Sequence, residues 1–359
     1  MGTAKGQSII FNPPENKGNK YVEIMVRPLR EHGYQVYPLD GFLSDWGHFR
    51  SIRLVHLNWF ENVDDSSFFR AFRSFIRKMF VLTIIHWSKK KLVWTMHNRT
   101  SHEKKTGFFS RTITRFLIKW ADRIIIHNHL SAEILSEKNP KAATKSFYLP
   151  HPEFIGVYGP PLQQKEASPT AILSLLFVGA VKPYKNIELL AQAVRPFGDR
   201  VSLTIAGQPD PSAYGEVISE IASSADNIKL MLDFIPDDEL PRIIGASDLL
   251  ILPYDLKSSL NSGTALLAFS YKKTVICPEI GTIMDMGDAK QYVFHYRYSS
   301  EEEHLQSLID QISSALELKE GDPSLLPAWG RNMFEYIQKA HGKSEVTRKL
   351  INLYQDLLN

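Results

Sequence analysis

The stretch FVGAVKPYKNIELLAQA, Phe177 to Ala193, passes from an apolar run through a basic loop into a helical pattern. The run spans Ala171 to Val181 and is the longest in the chain. It falls well short of the ~18 residues that mark a membrane helix, so it reads as a buried strand. From Ile187 to Val194 apolar residues recur at helical spacing. A strand feeding a helix in this way is one unit of a parallel sheet covered on both faces.

The alternation continues in both directions. Downstream, strands are expected at Leu173–Gly179, Val201–Ala206, Ile228–Leu232, Asp248–Pro253 and Thr274–Pro278. Helices are expected at Ile187–Val194, Ala213–Ala222, Asp237–Gly245 and Gly263–Tyr271. Upstream, strands are expected at Ser8–Phe11, Ile52–Asn58, Leu92–Met96, Arg123–His127 and Ser146–Leu149. Helical patterns sit at Tyr21–Gly33, Phe68–Lys78 and Phe108–Ala121. Pro150 to Pro169 holds five prolines and reads as a linker. The end is helical, at Glu301–Leu318, Leu325–Ala340 and Ser344–Leu358. The expectation is an α/β chain with two Rossmann-like, doubly wound parallel-sheet domains, residues 1–160 and 161–342, followed by a helix over 343–359. In such sheets ligands sit at the carboxyl ends of the strands, and with two domains the expected site is the cleft between them.

Composition narrows the class. The chain has 359 residues, 43% hydrophobic and 23% charged, with 20 Gly and 20 Pro, which excludes disordered, collagen-like and coiled-coil chains. Cys277 is the sole cysteine, so an intramolecular disulfide and a four-cysteine zinc site are excluded and a reducing compartment is expected. The first thirty residues lack a basic start followed by an apolar core, so no secretory signal is expected. The expected location is cytoplasmic. Residues 1–160 hold 24 Lys/Arg against 13 Asp/Glu, a balance of +11, and the remainder holds 18 against 26, a balance of −8. A basic first half predicts an anionic partner.

Four constellations carry chemistry. Lys182 and Lys185 stand between a strand's carboxyl end and a helix start, where side-chain charge and backbone N–H groups both favour an anion. The plain alternative is a solvated loop. Ser262, Gly263 and Thr264 open the apolar helix after Asp248–Pro253 and look like a diphosphate cradle; the alternative is an ordinary N-cap. His97, just past Leu92–Met96, and His56 and Asn58 on the preceding strand form the third group. They place three polar groups on one cleft wall, with the loop Asn12–Lys20 as its rim. That loop is neither a GxGxxG fingerprint nor a Walker loop, and the histidines lack HExxH spacing. The fourth is Phe68–Phe80, with apolar residues at 68, 69, 72, 75, 76, 79 and 80 and with Arg70, Arg73 and Arg77 on another face. This is the pattern of a helix lying on an anionic membrane surface, or of a core helix with a solvated basic face. Lys89 to Lys91, Lys104 and Lys105 add base around it. A nucleic-acid partner is not expected, because no recognised motif accompanies the basic half.

In their order and spacing these segments resemble the nucleotide-sugar glycosyltransferases of the GT-B fold, most closely the family 4 type. FVGAVKPYKNIELLAQA is similar to that family's donor loop. Further similar segments are AGQPD (Ala206–Asp210), the stretch from Phe234 through ASDLLILPY, and SGTALLAFSYKKTVICPEIGT (Ser262–Thr282). In the first half WTMHN and ADRIIIHNHLSAEIL (Ala121–Leu135) match. The form PYD…NSG resembles a subgroup associated with exopolysaccharide and capsule assembly. Two departures stand out. Ser259 and Leu267 occupy the places of the family's two glutamates, and Ala180 that of its usual arginine.

The resemblance implies transfer of a hexose from a GDP- or UDP-linked donor to a saccharide or lipid-linked saccharide acceptor. It implies that Phe234 and Ile235 meet the base and that Asp255 and Asn261 lie near the base and sugar. Lys182, Lys185 and Ser262–Thr264 would hold the diphosphate. Preorganised cations and N–H groups stabilise a leaving diphosphate without a metal, so no divalent ion or other cofactor is expected. Asn19, His56 and Asn58 are expected on the acceptor side. His97 contacts the reacting sugar if configuration is retained; if it inverts, His97, Glu61 and Glu15 are the candidate bases. The helix 343–359 is expected to pack back on the first domain, and the protein to lie at the inner membrane face. The alternative reading is a non-catalytic nucleotide-binding GT-B module.

Overall fold

The computed structural model describes residues 6–16, 18–64, 66–99, 107–161, 172–223 and 225–359. The first part of the chain runs β1 (Ser8–Asn12), α1 (Lys20–Glu31), β2 (Gln35–Tyr37), α2 (Trp46–Ser51), β3 (Ile52–Asn58), α3 (Phe68–Trp87), β4 (Lys91–Met96), α4 (Gly107–Trp120), β5 (Arg123–Ile126), α5 (His129–Lys138), α6 (Pro140–Ala143) and β6 (Ser146–Tyr148). The strands form one parallel sheet in the order β2-β1-β3-β4-β5-β6. β3 and β4 are buried along almost their whole length, as strands covered on both faces must be. Side chains set the helix starts. Asn19, Ser67 and Asn128 cap α1, α3 and α5, each accepting from a backbone N–H of the first turn. The order reverses at β1, so the carboxyl ends of β1 and β3 form this sheet's switch point.

The second part repeats the plan: β7 (Leu173–Val178), α7 (Ile187–Val194), β8 (Val201–Ala206), α8 (Tyr214–Ser223), β9 (Ile228–Met231), α9 (Leu240–Ala246), β10 (Leu249–Ile251), α10 (Gly263–Ser270), β11 (Thr274–Pro278), α11 (Gly281–Met284), β12 (Phe294–Tyr296), α12 (Glu301–Gly321) and α13 (Leu325–Ala340). The sheet is again parallel, ordered β12-β11-β10-β7-β8-β9, and its switch point lies at the ends of β7 and β10. Its core gathers Leu175, Phe177, Leu203, Ile205, Ile251 and Ile276 from the strands with Leu190, Leu308 and Ile312 from the helices.

The last helix, α14 (Lys343–Leu358), belongs to the first sheet. Its Val346, Leu350, Tyr354 and Leu358 join Ile9, Phe11, Met25 and Leu54 in that sheet's core. The chain therefore divides into Met1–Pro152 with Gly342–Asn359, and Glu153–His341. The boundary falls earlier than the expected 160/161. Phe154 is buried and its N–H donates to Ser270 Oγ at 2.9 Å, while the Tyr158 N–H donates to the Tyr271 hydroxyl at 3.1 Å. These contacts tie the segment after Pro152 to the second unit. The expected linker's remainder, 162–169, lies outside the described residues. Among the described residues no helix is long and apolar enough to cross a membrane.

Candidate functional site

At the switch point of the second sheet, β7 ends at Val178 and the chain turns through Gly179 (φ +126°). A Cβ there would lie 3.3 Å from Lys185 Nζ, so glycine lets the ammonium settle over the strand end. The ammonium also lies 5.5 Å from the centre of the Phe177 ring. Among the described residues no carboxylate pairs with it. Burial, and then the neighbouring Lys182, bring its pKa down to about 8. Lys182 differs: its ammonium pairs with Asp210 at 2.6 Å. Asn186, in the left-handed region at φ 54°, donates from Nδ2 to Pro253 O at 2.9 Å. That bond ties the lysine loop to the loop after β10.

The second loop leads into α10. Ser262 caps the helix by accepting from Ala265 N–H at 2.9 Å and donates its own proton to the Tyr254 hydroxyl at 3.0 Å. Its backbone N–H goes to Thr282 Oγ1 at 3.0 Å. This corrects one expectation: the Ser262 hydroxyl is consumed inside the protein. The N–H groups of Gly263 and Thr264 are first-turn donors that find no acceptor among the described residues. Tyr254 is buried, and burial pushes its phenol up to about 12, so it stays neutral and hydrogen-bonds. Ser258 Oγ, on the same loop, is buried without a hydrogen-bond partner among the described residues. Asp255 accepts from Lys257 N–H at 2.9 Å and shapes the loop, and Asn261 is half-buried just before the cap. Phe234 is 65% exposed and Ile235 half-buried, on the loop after β9. Ser259 is buried and Leu267 half-buried, so neither place supplies a carboxylate.

At the first sheet's switch point, His97 follows β4 and is buried. Its Nε2 lies 3.0 Å from Asn58 Oδ1, and Asn58 Nδ2 donates to Asn12 O at 3.3 Å, so β1, β3 and β4 meet in one chain of polar contacts. Trp59 stacks on the His97 ring at 4.0 Å and 15° between planes. Tyr21 and His127 close the group at 5.2 and 5.5 Å. Burial, then His127, His151 and His56, hold His97 well below the usual histidine pKa, so its imidazole is neutral at pH 7. The Tyr21 hydroxyl meets His127 Nε2 at 3.1 Å, while His127 Nδ1 meets Leu149 O at 2.8 Å.

The other expected residues of this sheet stand elsewhere. His56 is fully buried, with Nδ1 on the Tyr354 hydroxyl of α14 at 2.5 Å and Nε2 on Thr95 Oγ1 at 2.7 Å. Both ring nitrogens are occupied, and it holds the core rather than an acceptor. Glu61 is buried, accepting from Trp94 Nε1–H at 3.1 Å, and burial raises its pKa. Trp94 points to the sheet face opposite Thr95, which His56 uses, so Glu61 lies behind the sheet. Glu15 is an exposed carboxylate facing Arg30 at 3.7 Å. Asn19 is spent capping α1. Of the candidate bases, His97 alone sits in the polar group at the strand ends. Trp59, Tyr21, His127 and Tyr254 were not singled out in sequence. The WF pair directly after His56–Asn58 was the available signal for Trp59. On α3, Phe68, Phe69, Phe72, Ile76 and Phe80 are exposed. Lys104 and Lys105 lie outside the described residues.

No family model matches the chain. It is 28% identical over 229 residues to the GDP-mannose:glycolipid 4-beta-D-mannosyltransferase of Xanthomonas campestris pv. campestris. The like-named protein of strain ATCC 33913 of that pathovar is 28% identical over the same length. The match covers 62% of this chain and 61% of those curated relatives, so the chain spans less than two thirds of their length. In structure it is similar to Anabaena Alr3699/HepE in complex with UDP, with TM-score 0.68 and 12% identity, over 98% of this chain and 100% of that one. It is likewise similar to sucrose-phosphate synthase (tll1590) from Thermosynechococcus elongatus, with TM-score 0.73 and 13% identity, over 98% and 99%. At such identities the likeness is one of fold: the chain has the α/β, GT-B fold, with two parallel six-stranded sheets.

Proposed function

We propose that the chain is a nucleotide-sugar-dependent glycosyltransferase whose second unit binds the donor and whose first unit handles the acceptor. The observation that carries this reading is the Lys185 ammonium, desolvated and without a carboxylate partner, on a loop tied to the one that opens α10. An ammonium and two open N–H groups match a diphosphate in charge and in hydrogen bonding. They also oppose the charge that grows on the leaving diphosphate, so transfer proceeds without a divalent ion. The relatives' printed name supports GDP-mannose as donor and a glycolipid as acceptor. The neutral His97 contacts the reacting sugar if configuration is retained. If it inverts, His97 is unprotonated at neutral pH, as a base must be, and takes the acceptor proton.

A glycolipid acceptor brings the enzyme to a membrane. The basic first half and the exposed aromatic face of α3 support peripheral binding to the inner, anionic face of the cell membrane, in surface polysaccharide assembly. The test of the donor assignment is thermal-shift binding with GDP, UDP, ADP and their sugar conjugates. A nucleotide at about 100 times its dissociation constant stabilises the protein by about 2.7 kcal/mol. GDP is expected to give that shift and Lys185→Ala to remove it. Absence of a shift with every nucleotide would overturn the assignment.

A further inference from the structure

We propose that the first unit carries an anion site of its own, built for the phosphate group of a membrane-embedded lipid phosphate that bears the acceptor sugar. The proposal rests on the glycosyltransferase reading and adds where the acceptor's charged group is held. A cavity of about 460 Å³ opens at the switch point of the first sheet, between the ends of β1 and β3 and the helix α3. Asn12 and Trp59 line it from the strand ends, and Arg70, Arg73, Arg77 and Lys78 line it from α3. This is where open parallel sheets hold ligands.

The charge does not balance. Among the described residues that line it, four cations face two carboxylates, Asp40 and Asp64. Asp40 pairs with Arg77 at 2.5 Å. Asp64 accepts from the Ser66 hydroxyl and N–H, and Arg70 reaches Ser66 Oγ at 3.3 Å. Lys78 donates to the carbonyls of Phe60 and Asn62. Among the described residues Arg73 has no carboxylate partner. Lys78 also interacts electrostatically with the buried Glu61, so the guanidiniums carry the site. Arg70 and Arg73 present forks that no carboxylate among the described residues pairs, and they fit a phosphate or diphosphate.

Two further features say what kind of phosphate. Phe68, Phe72, Ile76 and Phe80 recur every fourth residue along α3 and are 74%, 45%, 49% and 59% exposed. At 100° per residue, Arg70, Arg73 and Arg77 lie between this stripe and the buried face of Ala71, Leu82 and Ile85. A phosphate seated among the arginines leaves an attached hydrocarbon chain beside the aromatic stripe, and the stripe itself against the acyl region. Inward, Trp59 both lines the cavity and stacks on His97 at 4.0 Å. Its backbone is held at φ 49°, a costly conformation for a bulky residue and one that clusters at functional sites. A phosphate in the cavity is thus one ring away from the imidazole assigned to the transfer.

The test is flotation of the full chain with phosphatidylcholine vesicles, either plain, doped with a polyprenyl phosphate, or doped to equal charge with phosphatidylglycerol. Binding is expected to favour the polyprenyl phosphate vesicles, to weaken about tenfold or more in Arg73→Gln, and to be inhibited by inorganic pyrophosphate. Equal binding to both charged vesicles would overturn the proposal, as would an unaltered Arg73→Gln; either result reduces α3 to a general anionic-surface anchor. The GDP thermal shift of Arg73→Gln is read in parallel and is expected to be unchanged, which also shows that the variant is folded. Loss of the GDP shift in the unsubstituted protein, with lipid-phosphate binding intact, would remove the donor assignment and leave this site standing.

Discussion

Lys185 is required to be a cation in surroundings that disfavour one. Its pKa of about 8 in the free protein follows from burial first and Lys182 second. A bound diphosphate restores the charge and raises that value. Donor affinity is therefore expected to be level below about pH 8 and to fall by up to about tenfold per pH unit above it. Isothermal titration of GDP from pH 7 to 10 checks this, and Lys185→Arg should flatten the profile. A profile already flat in the unsubstituted chain would count against the contact. Lys185→Ala should lower turnover by about 10²–10³, as removal of a preorganised charge donor does. The lysine was legible from sequence because strand, loop and helix follow one another locally. His56 and His97 looked alike by that same logic, since one lies near the carboxyl end of β3 and the other just past β4. What separates them is Tyr354, 298 positions away from His56, and no local pattern carries such a contact.

At the scale of elements, α14 shows what a helix contributes when it closes a distant core. It buries Val346, Leu350, Ile351, Leu353, Tyr354 and Leu358 on the first sheet, and Leu358 O accepts from Arg53 at 2.7 Å. Tyr354→Phe leaves His56 Nδ1 buried without its partner and is expected to cost about 1–3 kcal/mol. Leu350→Ala should cost about 2–5 kcal/mol through the cavity it leaves. Urea unfolding of the two variants measures both, and a cost near zero for either would separate α14 from the core. The long helices and buried strands were legible by period. β2, β12, α2, α6 and α11 were not, because each spans three to six residues, too few for a period to register. They also lack the apolar run and strand–helix context that marked the equally short β6 and β10. α5 was missed by period as well, since Leu130, Ile134 and Leu135 are its only large apolar residues. α3 runs on to Trp87, beyond the expected Lys78, because the apolar run after Lys78 continues its turns. Its exposed stripe read equally as a core face until the fold showed which side the sheet covers.

For the whole molecule, each sheet has its strand order reversed at an interior pair, β1 and β3 or β10 and β7, and each candidate site stands at that reversal. Buried histidines give both units the same response to acid. Burial lowers His56 to about 3 and His304 to about 4, and His97 lies well below its usual value. Unfolding returns each to a value near 6.5, so the unfolded chain binds more protons below that pH. The stability these neutral rings contribute is complete above pH 6.5 and is lost as pH falls toward 4 and then 3. Each histidine contributes about 1.4 kcal/mol per pH unit over its window. Urea midpoints at pH 7.5, 6 and 5 should fall steadily; identical midpoints would show that these rings are solvated. The basic first half was legible as a count, but the gathering of four of its cations around one cavity depends on the fold.

The position of α14 has a consequence for how the protein is made. Residues 6–152 leave the ribosome with the surface around Ile9, Phe11 and Leu54 uncovered, and its cover, α14, is synthesised only after the whole of Glu153–His341. At about 5–20 residues per second the wait lasts about 10–40 s. Through that interval the nascent first sheet is an adhesive object, whereas the second sheet has every element of its own core once His341 is added. The two halves therefore finish in the reverse of the order in which they are translated. A stop codon before Lys343 therefore damages the core that residues 6–152 begin.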